Sequence, residues 1–244
     1  MRLKKFIKFC TIVFALLFFI CAPLWKISKL CDFQFFGEII NRVDTSLPYI
    51  ALTFDDGPTR KYTPLILKML RERNIKATFF ITGKEAEENP DMLSAIINEG
   101  HEIGNHSYSH KRLILKTPAF IKKEVDKTFE IIKKAKYTGE IFFRPPYGIK
   151  LFFLPWYLEK SNIKTIMWDI EPESYPELAA SVEKMSRYVI GNTRAGSIIL
   201  LHPMYENRET TRVALPLIID GLLKREFRFT RVSELLKLNY KLKR

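Results

Sequence analysis

The sequence predicts an α/β fold, a parallel sheet covered by helices, and three observations predict it. From residue 48 onward, six or seven short apolar runs rich in strand formers alternate with segments whose apolar residues recur at helical spacing. The chain has 244 residues, 47% of them hydrophobic and 27% charged, enough for one packed domain. It contains no internal repeat and no Gly/Ser-, Gln- or Pro-rich tract, which removes solenoid, collagen, coiled-coil and low-complexity readings. A parallel sheet of this kind is either open and doubly wound or closed into a barrel. In both, functional side chains gather at the C-terminal ends of the strands.

Residues 1–8 carry four basic residues and no acid, and residues 9–25 are apolar apart from Thr11. At ~1.5 Å per residue that run reaches roughly 25 Å as a helix, slightly short of a ~30 Å hydrocarbon core, and Lys8 and Lys26 can snorkel to the headgroups. It reads as an uncleaved single-pass signal anchor. Ile20-Cys21-Ala22 offers a small residue at only one of the two positions that signal cleavage needs, and Pro23 would follow the cut. Basic residues before the run outnumber those just after it, so residues 1–8 are expected in the cytoplasm and the rest outside it, in a periplasm or at the cell surface. Residues 26–47 read as a stalk and 48–244 as one domain.

Within that domain, residues 49–54 are a strand ending at the turn signal Asp55-Asp56-Gly57-Pro58. Residues 63–73 place Leu65, Ile66, Met69 and Leu70 at helical spacing. A second strand is expected over 77–81, a helix over 90–98 stopped by Gly100, and a short strand over 102–105. A long amphipathic helix follows over 118–136. Strands over 141–143, 164–168 and 197–201 and helices over 176–190 and 211–225 come next. A last strand over 227–230 and a helix over 233–238 close the domain.

The net charge of +13 is partly local, since Arg2, Lys4, Lys5, Lys8, Lys26 and Lys29 precede the first acid. The remainder is moderately basic and dispersed, which suits an anionic cell-wall polymer or lipid as well as nucleic acid, and nucleic acid is not expected as a partner. All three cysteines, Cys10, Cys21 and Cys31, lie near the N-terminus, so the domain has neither an internal disulfide nor a cysteine-based zinc site.

The residues just after each strand carry the chemistry: Asp55 and Asp56, His106 and His110, Arg144 and Tyr147, Asp169 and Glu171, and His202. His106 and His110, four apart, face the same way on a helical turn and can share a metal, though such a pair alone is an ordinary feature. A carboxylate from Asp55-Asp56 would complete the three protein ligands that catalytic zinc sites commonly use. Two adjacent carboxylates also call for a nearby cation or arginine.

Thr53-Phe54-Asp55-Asp56-Gly57-Pro58, His106-Ser107-Tyr108-Ser109-His110, Arg144-Pro145-Pro146-Tyr147-Gly148 and Leu200-Leu201-His202 resemble, in this order, the motifs of the polysaccharide deacetylases, the carbohydrate esterase family that contains peptidoglycan and chitin deacetylases. The resemblance covers about residues 48–238. It implies a distorted (β/α) barrel of about seven strands and one divalent metal, first Zn2+, with Co2+, Ni2+ or Mn2+ also compatible with His and carboxylate ligands. It implies Asp56, His106 and His110 as metal ligands, Asp55 as general base, Arg144 as the group holding that base, the Tyr147 backbone N–H as oxyanion donor and His202 as general acid. Tyr147, Tyr175 and Leu200 would line the substrate groove.

The sequence departs from the family pattern at Trp168-Asp169-Ile170-Glu171-Pro172-Glu173-Ser174-Tyr175. There Glu171 aligns with the acid that tunes the catalytic histidine, and Asp169 is the alternative. The expected activity is removal of acetyl from N-acetylated sugars of a glycan by a membrane-anchored monomer. The alternatives are an O-acetyl esterase on xylan-like polysaccharide and a degenerate, glycan-binding member of the fold, against which the complete set of catalytic residue types argues.

Overall fold

The structure is a computed structural model that describes residues 2–242, without the side chains of residues 2, 3, 5, 8, 10–17, 20 and 239–242. The element order is α1 (Arg2–Ile27), β1 (Ile39–Ile40), β2 (Tyr49–Asp55), α2 (Thr63–Glu72), β3 (Thr78–Ile81), α3 (Gly83–Glu88), α4 (Pro90–Asn98) and β4 (Glu102–Asn105). Then come α5 (Pro118–Lys134), α6 (Phe153–Lys160), β5 (Thr165–Ile166), α7 (Pro176–Ala179), α8 (Val182–Asn192), β6 (Ile198–Leu201), α9 (Glu209–Lys224), β7 (Arg228–Thr230) and α10 (Val232–Leu242).

All paired strands are parallel. The order β4-β3-β2-β6 makes the main sheet, with β3 pairing along the end of β2 and β7 along its start. Single parallel bridges, Asn105 to Phe143, Phe143 to Thr165 and Ile170 to Ile199, carry the ring from β4 through β5 back to β6. The barrel is therefore regular around β2 and thin around β5. Alternation of side chains along β2 sorts its residues. Ile50, Leu52 and Phe54 join the outer core with Phe79, Ile81, Ile199 and Leu201 under helices α2, α8 and α9. Ala51 faces the other way, with Phe80, Ile166 and Ile198. Thr53 and Asp55 share the face of Ala51, which delivers the Asp55 carboxylate to the C-terminal mouth of the barrel.

The departures from expectation have local causes. Residues 141–143 contribute one bridging residue rather than a strand, because Pro145 and Pro146 have no N–H with which to extend a ladder. The helix expected over 176–190 is divided at Ser181, whose hydroxyl accepts from the Lys184 N–H and starts α8 anew. Helices α3 and α6 were not anticipated. The first is six residues long and begins at a Thr82 cap, and the second has an apolar run interrupted by Pro155.

Residues 26–47 are not a free stalk. Strand β1 pairs with β5, Arg42 bridges Ser197, the Val43 N–H donates to the Gly196 carbonyl at 2.9 Å, and the Lys150 N–H donates to the Ser28 carbonyl at 2.9 Å. Burial of Val43 beside Ile40 is the reason, since a stalk in water gains nothing from these apolar residues. The domain thus begins well before residue 48. Among the described residues, no helix is long and apolar enough to cross a membrane. The anchor expected over 9–25 falls within α1, where most of its side chains lie outside the described residues.

Candidate active site

Strand β2 ends with its two carboxylates sent to different partners. Asp56 has a left-handed backbone (φ 75°), followed by Gly57 at φ 71°, so the chain turns sharply between the two acids. The Asp55 carboxylate takes the Arg144 Nη1 at 2.6 Å and lies 3.5 Å from His106 Nε2, whereas Asp56 Oδ1 lies 3.5 Å from His110 Nε2. Both acids are buried.

The two histidines reach the site from a loop rather than the helical turn their spacing suggested. Ser107 and His110 are both left-handed, at φ 64° and 53°. Asn105 Oδ1 accepts the Ser107 N–H at 2.9 Å, and Glu124 on α5 accepts from both the N–H and the hydroxyl of Ser109 at 2.8 Å. These bonds tie the loop to β4 and α5, and the imidazole centroids end 4.9 Å apart. His106 Nδ1 donates to the Arg144 carbonyl at 2.8 Å, which fixes the tautomer and leaves the Nε2 lone pair free to bind a cation.

These residues fit a divalent cation. One donor atom from each of Asp56, His106 and His110 lies within 4.8 Å of the others. Asp56 Oδ1 is buried and has no hydrogen-bond partner. Burial, with Asp55 nearby, pushes the Asp56 carboxyl up to about 7 against the pull of His202, and burial brings His106 down to about 4. A site that disfavours an uncompensated carboxylate while keeping its imidazoles neutral presents the donor set of a metal centre.

Arg144 is the anchor of the barrel interior and is fully buried. Its Nη1 also donates to Thr53 Oγ1 at 2.9 Å, its Nε to the Ile166 carbonyl at 3.1 Å and its Nη2 to the Met167 carbonyl at 3.0 Å. The guanidinium stacks over Phe80, 4.0 Å from the ring centroid. Burial alone would raise the Asp55 pKa; the charges of Arg144, His106 and His202 and the hydrogen bond from Arg144 outweigh it, and the Asp55 carboxyl stays below its ordinary value.

Across the cleft, His202 follows β6. Its Nδ1 donates to Glu173 Oε2 at 2.6 Å and its backbone N–H to the same oxygen at 2.8 Å. Thr211 donates to the other Glu173 oxygen at 2.5 Å. Burial draws the His202 pKa down, but the bond and charge of Glu173, with Asp55 and Asp56, push it up to about 9.

The expected partner of His202, Glu171, is therefore corrected to Glu173. The chain leaves the ring after Ile170, and a 3-10 turn over Pro172–Ser174 carries the next acid under the imidazole. Glu171 lines the cavity beside it, its pKa raised by burial. Asp169, the alternative, is occupied elsewhere: it accepts from the Ser197 hydroxyl and the Ile198 N–H, both at 2.9 Å. The signal in the sequence was Pro172, which opens the turn.

Asp55, Asp56, His106, His110, Tyr147, Leu200 and His202 line one open cavity of about 320 Å³ with Trp168, Glu171, Glu173 and Arg208. Sequence reasoning missed Trp168, Glu173 and Arg208 as lining residues. Tyr147 is held in a left-handed conformation (φ 60°), its ring 4.7 Å from that of His110. Strain of this kind at a bulky residue collects at functional sites. Tyr175 is not in the cavity wall; it packs on Tyr188 with centroids 5.8 Å apart. His101 is a core residue whose Nδ1 accepts the Ala77 N–H at 3.1 Å.

The polysaccharide deacetylase family profile matches residues 42–166. A peptidoglycan-N-acetylglucosamine deacetylase of Bacillus cereus is 32% identical over 84% of this chain and 95% of its own length. The chain belongs to the polysaccharide deacetylase family. A second Bacillus cereus peptidoglycan-N-acetylglucosamine deacetylase is 40% identical over 63% of this chain, which spans 55% of that relative's length. Among solved structures, the Bc1960 peptidoglycan N-acetylglucosamine deacetylase superposes with a TM-score of 0.76 at 32% identity, over 81% of this chain and 92% of that one. The Bacillus anthracis family pseudoenzyme BA3943 gives 0.74 at 26% identity, over 83% and 69%. This member of the family carries the whole constellation of paired aspartates, histidine pair, buried arginine and tuned histidine in one cleft.

Proposed function

We propose that this deacetylase hydrolyses the N-acetyl amides of a peptidoglycan- or chitin-like glycan, giving acetate and a free amine, with one divalent metal at Asp56, His106 and His110. The observation that carries the reading is the buried, unpartnered Asp56 Oδ1 beside two neutral imidazoles, set between an ionised Asp55 and a protonated His202. The metal, Zn2+ by the chemistry of its donors, would polarise the acetyl carbonyl and acidify water.

The chain's own groups do the rest. Asp55, kept anionic and aimed by Arg144, takes a proton from the attacking water as its oxygen bonds to the carbonyl carbon. The Tyr147 N–H would donate to the oxygen that gains charge, a role supported by the position of Tyr147 in the cavity wall. His202, held protonated by Glu173, gives its proton to the nitrogen as the C–N bond breaks. An amine leaving group requires that proton, which supports amide over ester as the natural bond.

The full chain should release acetate from N-acetylglucosamine oligomers or peptidoglycan in preference to acetylxylan, lose activity to a chelator, and regain it with one equivalent of metal. Full activity in metal-free protein would sink the reading. The proposal includes a monomer anchored by residues 9–25, with residues 1–8 in the cytoplasm and the domain outside. The apolar run supports it, as do the exposed aromatics Phe33, Phe35, Phe36, Phe152, Phe153 and Trp156, which begin a few residues past α1. Retention in membranes through alkaline washing with Met1 intact is expected; a mature N-terminus after residue 20 would refute the anchor.

A further inference from the structure

We infer that Glu85 is a positioning residue for Asp56, the carboxylate of the proposed metal centre. It stands behind the catalytic cavity, outside its wall, and holds the turn that carries Asp56 through the Gly57 N–H. Thr82-Gly83-Lys84-Glu85 has the sequence of a helix capping box, a threonine followed three residues later by a glutamate. In that motif the glutamate turns back to the backbone N–H of the cap. Here the Thr82 N–H is already given to the Gly57 carbonyl at 3.0 Å. The Glu85 carboxylate passes the end of α3 instead, and its Oε2 accepts the Gly57 N–H at 2.9 Å. Gly57 therefore has both its backbone groups bound to the start of α3.

The bond falls where the chain most needs one. Asp56 and Gly57 are consecutive left-handed residues, and Asp56 bears a side chain in a conformation that most L-residues avoid. A turn of this kind persists only where its surroundings over-determine it. The Asp56 N–H goes to the Phe80 carbonyl at 3.1 Å, and a side chain at Gly57 would meet Met204 at 3.1 Å. Among the described residues, Glu85 supplies the only side chain bonded to the backbone of residues 55–57.

The accepting oxygen is itself fixed. Oε2 also takes the Thr82 hydroxyl at 2.7 Å and, from the loop after His202, the Tyr205 hydroxyl at 3.1 Å. One atom thus joins the turn after β2, the start of α3 and the loop beyond β6. Among the described residues, Oε1 makes no hydrogen bond and no cation pairs with Glu85, so the carboxylate is not committed to an ion pair. Its contribution is an aimed acceptor. With the turn held, Asp56 Oδ1 keeps its place 3.5 Å from His110 Nε2; with the turn released, the three donors no longer converge.

This role rests on the metal reading of the site, and its test separates the two. Metal-free full-length protein is titrated with Zn2+ in competition with a chromophoric chelator, and the Co2+-loaded protein is examined by visible absorption. The parent should bind one equivalent. Glu85→Ala, and Glu85→Met, which fills more of the same space without an oxygen, should weaken Zn2+ binding by about tenfold to a hundredfold. Both should change the Co2+ bands, and acetate release lost at limiting Zn2+ should return as Zn2+ is raised. Glu85→Gln keeps an oxygen for the three donors and can place its amide nitrogen where Oε1 makes no bond, so its affinity should stay within about threefold of the parent. Thermal melting of the metal-free proteins reports folding separately. Parent-like affinity in Glu85→Met, equal losses in Glu85→Met and Glu85→Gln, or a loss of acetate release that excess Zn2+ does not restore overturns the positioning role and leaves the metal centre standing. A parent protein that binds no metal overturns the reading beneath it, and the role of Glu85 with it.

Discussion

The two walls of the cleft hold their catalytic groups by different means. On one wall Asp55 sits at the end of the central strand, and Arg144 behind it is bonded to Thr53, Asp55 and two carbonyls of the β5 segment. Those acceptors belong to the barrel, so the base is held by the same bonds that hold the fold. On the other wall His202 depends on one carboxylate, Glu173, offered by a 3-10 turn and steadied by Thr211 and Arg208 from the segment after β6. The difference teaches that damage to the base wall should cost stability and chemistry together, whereas damage to the acid wall should cost chiefly chemistry.

The largest effects should come from the base wall and its neighbouring ligands. His106→Ala should abolish stoichiometric metal binding and all measurable turnover, read by metal analysis alongside acetate release. Asp55→Asn should keep the metal and still lose turnover by about 10²–10⁴-fold. It should also lower the melting temperature, because Arg144 is left buried without its counter-ion, a change that costs about 3–5 kcal/mol in comparable sites. A stable but inactive Asp55→Asn protein would break the claim that base and fold are held together.

Arg144→Lys sharpens the same point with a smaller change. Lysine keeps the positive charge but has one nitrogen where the guanidinium has three, and it cannot serve Thr53, Asp55, Ile166 and Met167 together. Turnover should fall about tenfold or more and the melting temperature should drop. Native stability in this variant would mean that charge alone, not the fork, holds Asp55.

This asymmetry also explains what could be read from the sequence. The base wall was legible because its residues sit at fixed offsets from strand ends: Asp55 closes β2, His106 follows β4, and Arg144 follows the Phe143 bridge. The acid wall was not, because the period-2 alternation of a strand does not extend through Pro172. Glu171 and Asp169 share a parity, and Glu173 shares it too, so only the turn decides among them. The same limit applies to the fold. Helix α4 and strands β2 through β4 were readable from local pattern, while β1 is two isoleucines in a segment whose composition suggested a linker, and only its pairing with β5 makes it part of the ring.

On the acid wall, Glu173→Gln should leave metal stoichiometry intact and reduce turnover by about tenfold to a hundredfold at mildly alkaline pH. The direction of its pH effect follows from which state works. His202 acts as an acid only when protonated, so activity falls as pH rises through its pKa, which Glu173 helps to hold near 9. Without that anion burial dominates and favours the neutral imidazole, so the alkaline limb of the pH–rate profile should move to lower pH. Glu171→Gln should move it less, since Glu171 makes no hydrogen bond to His202. If Glu171→Gln gives the larger shift, the 3-10 turn does not select the partner.

The smallest expected effect completes the contrast. Asp169 lies on the acid wall's own segment, two and four residues before the other acids, yet its carboxylate binds the Ser197 hydroxyl and the Ile198 N–H at the start of β6. Asp169→Asn keeps the shape but only one acceptor oxygen, so one of the two bonds loses its acceptor and the other keeps a neutral one. The cost should be about 1–2 kcal/mol of stability, visible in denaturant midpoint, with the alkaline limb unmoved. Asp169 is thus predicted to behave as a strand clamp, like the bonds of the base wall, although its sequence position groups it with the acids around His202. An alkaline limb that shifts in Asp169→Asn as far as in Glu173→Gln would show that the charge of the whole segment, rather than one hydrogen-bonded carboxylate, sets the proton on His202. The division of the cleft into a wall made by the fold and a wall made by a single contact would then fail.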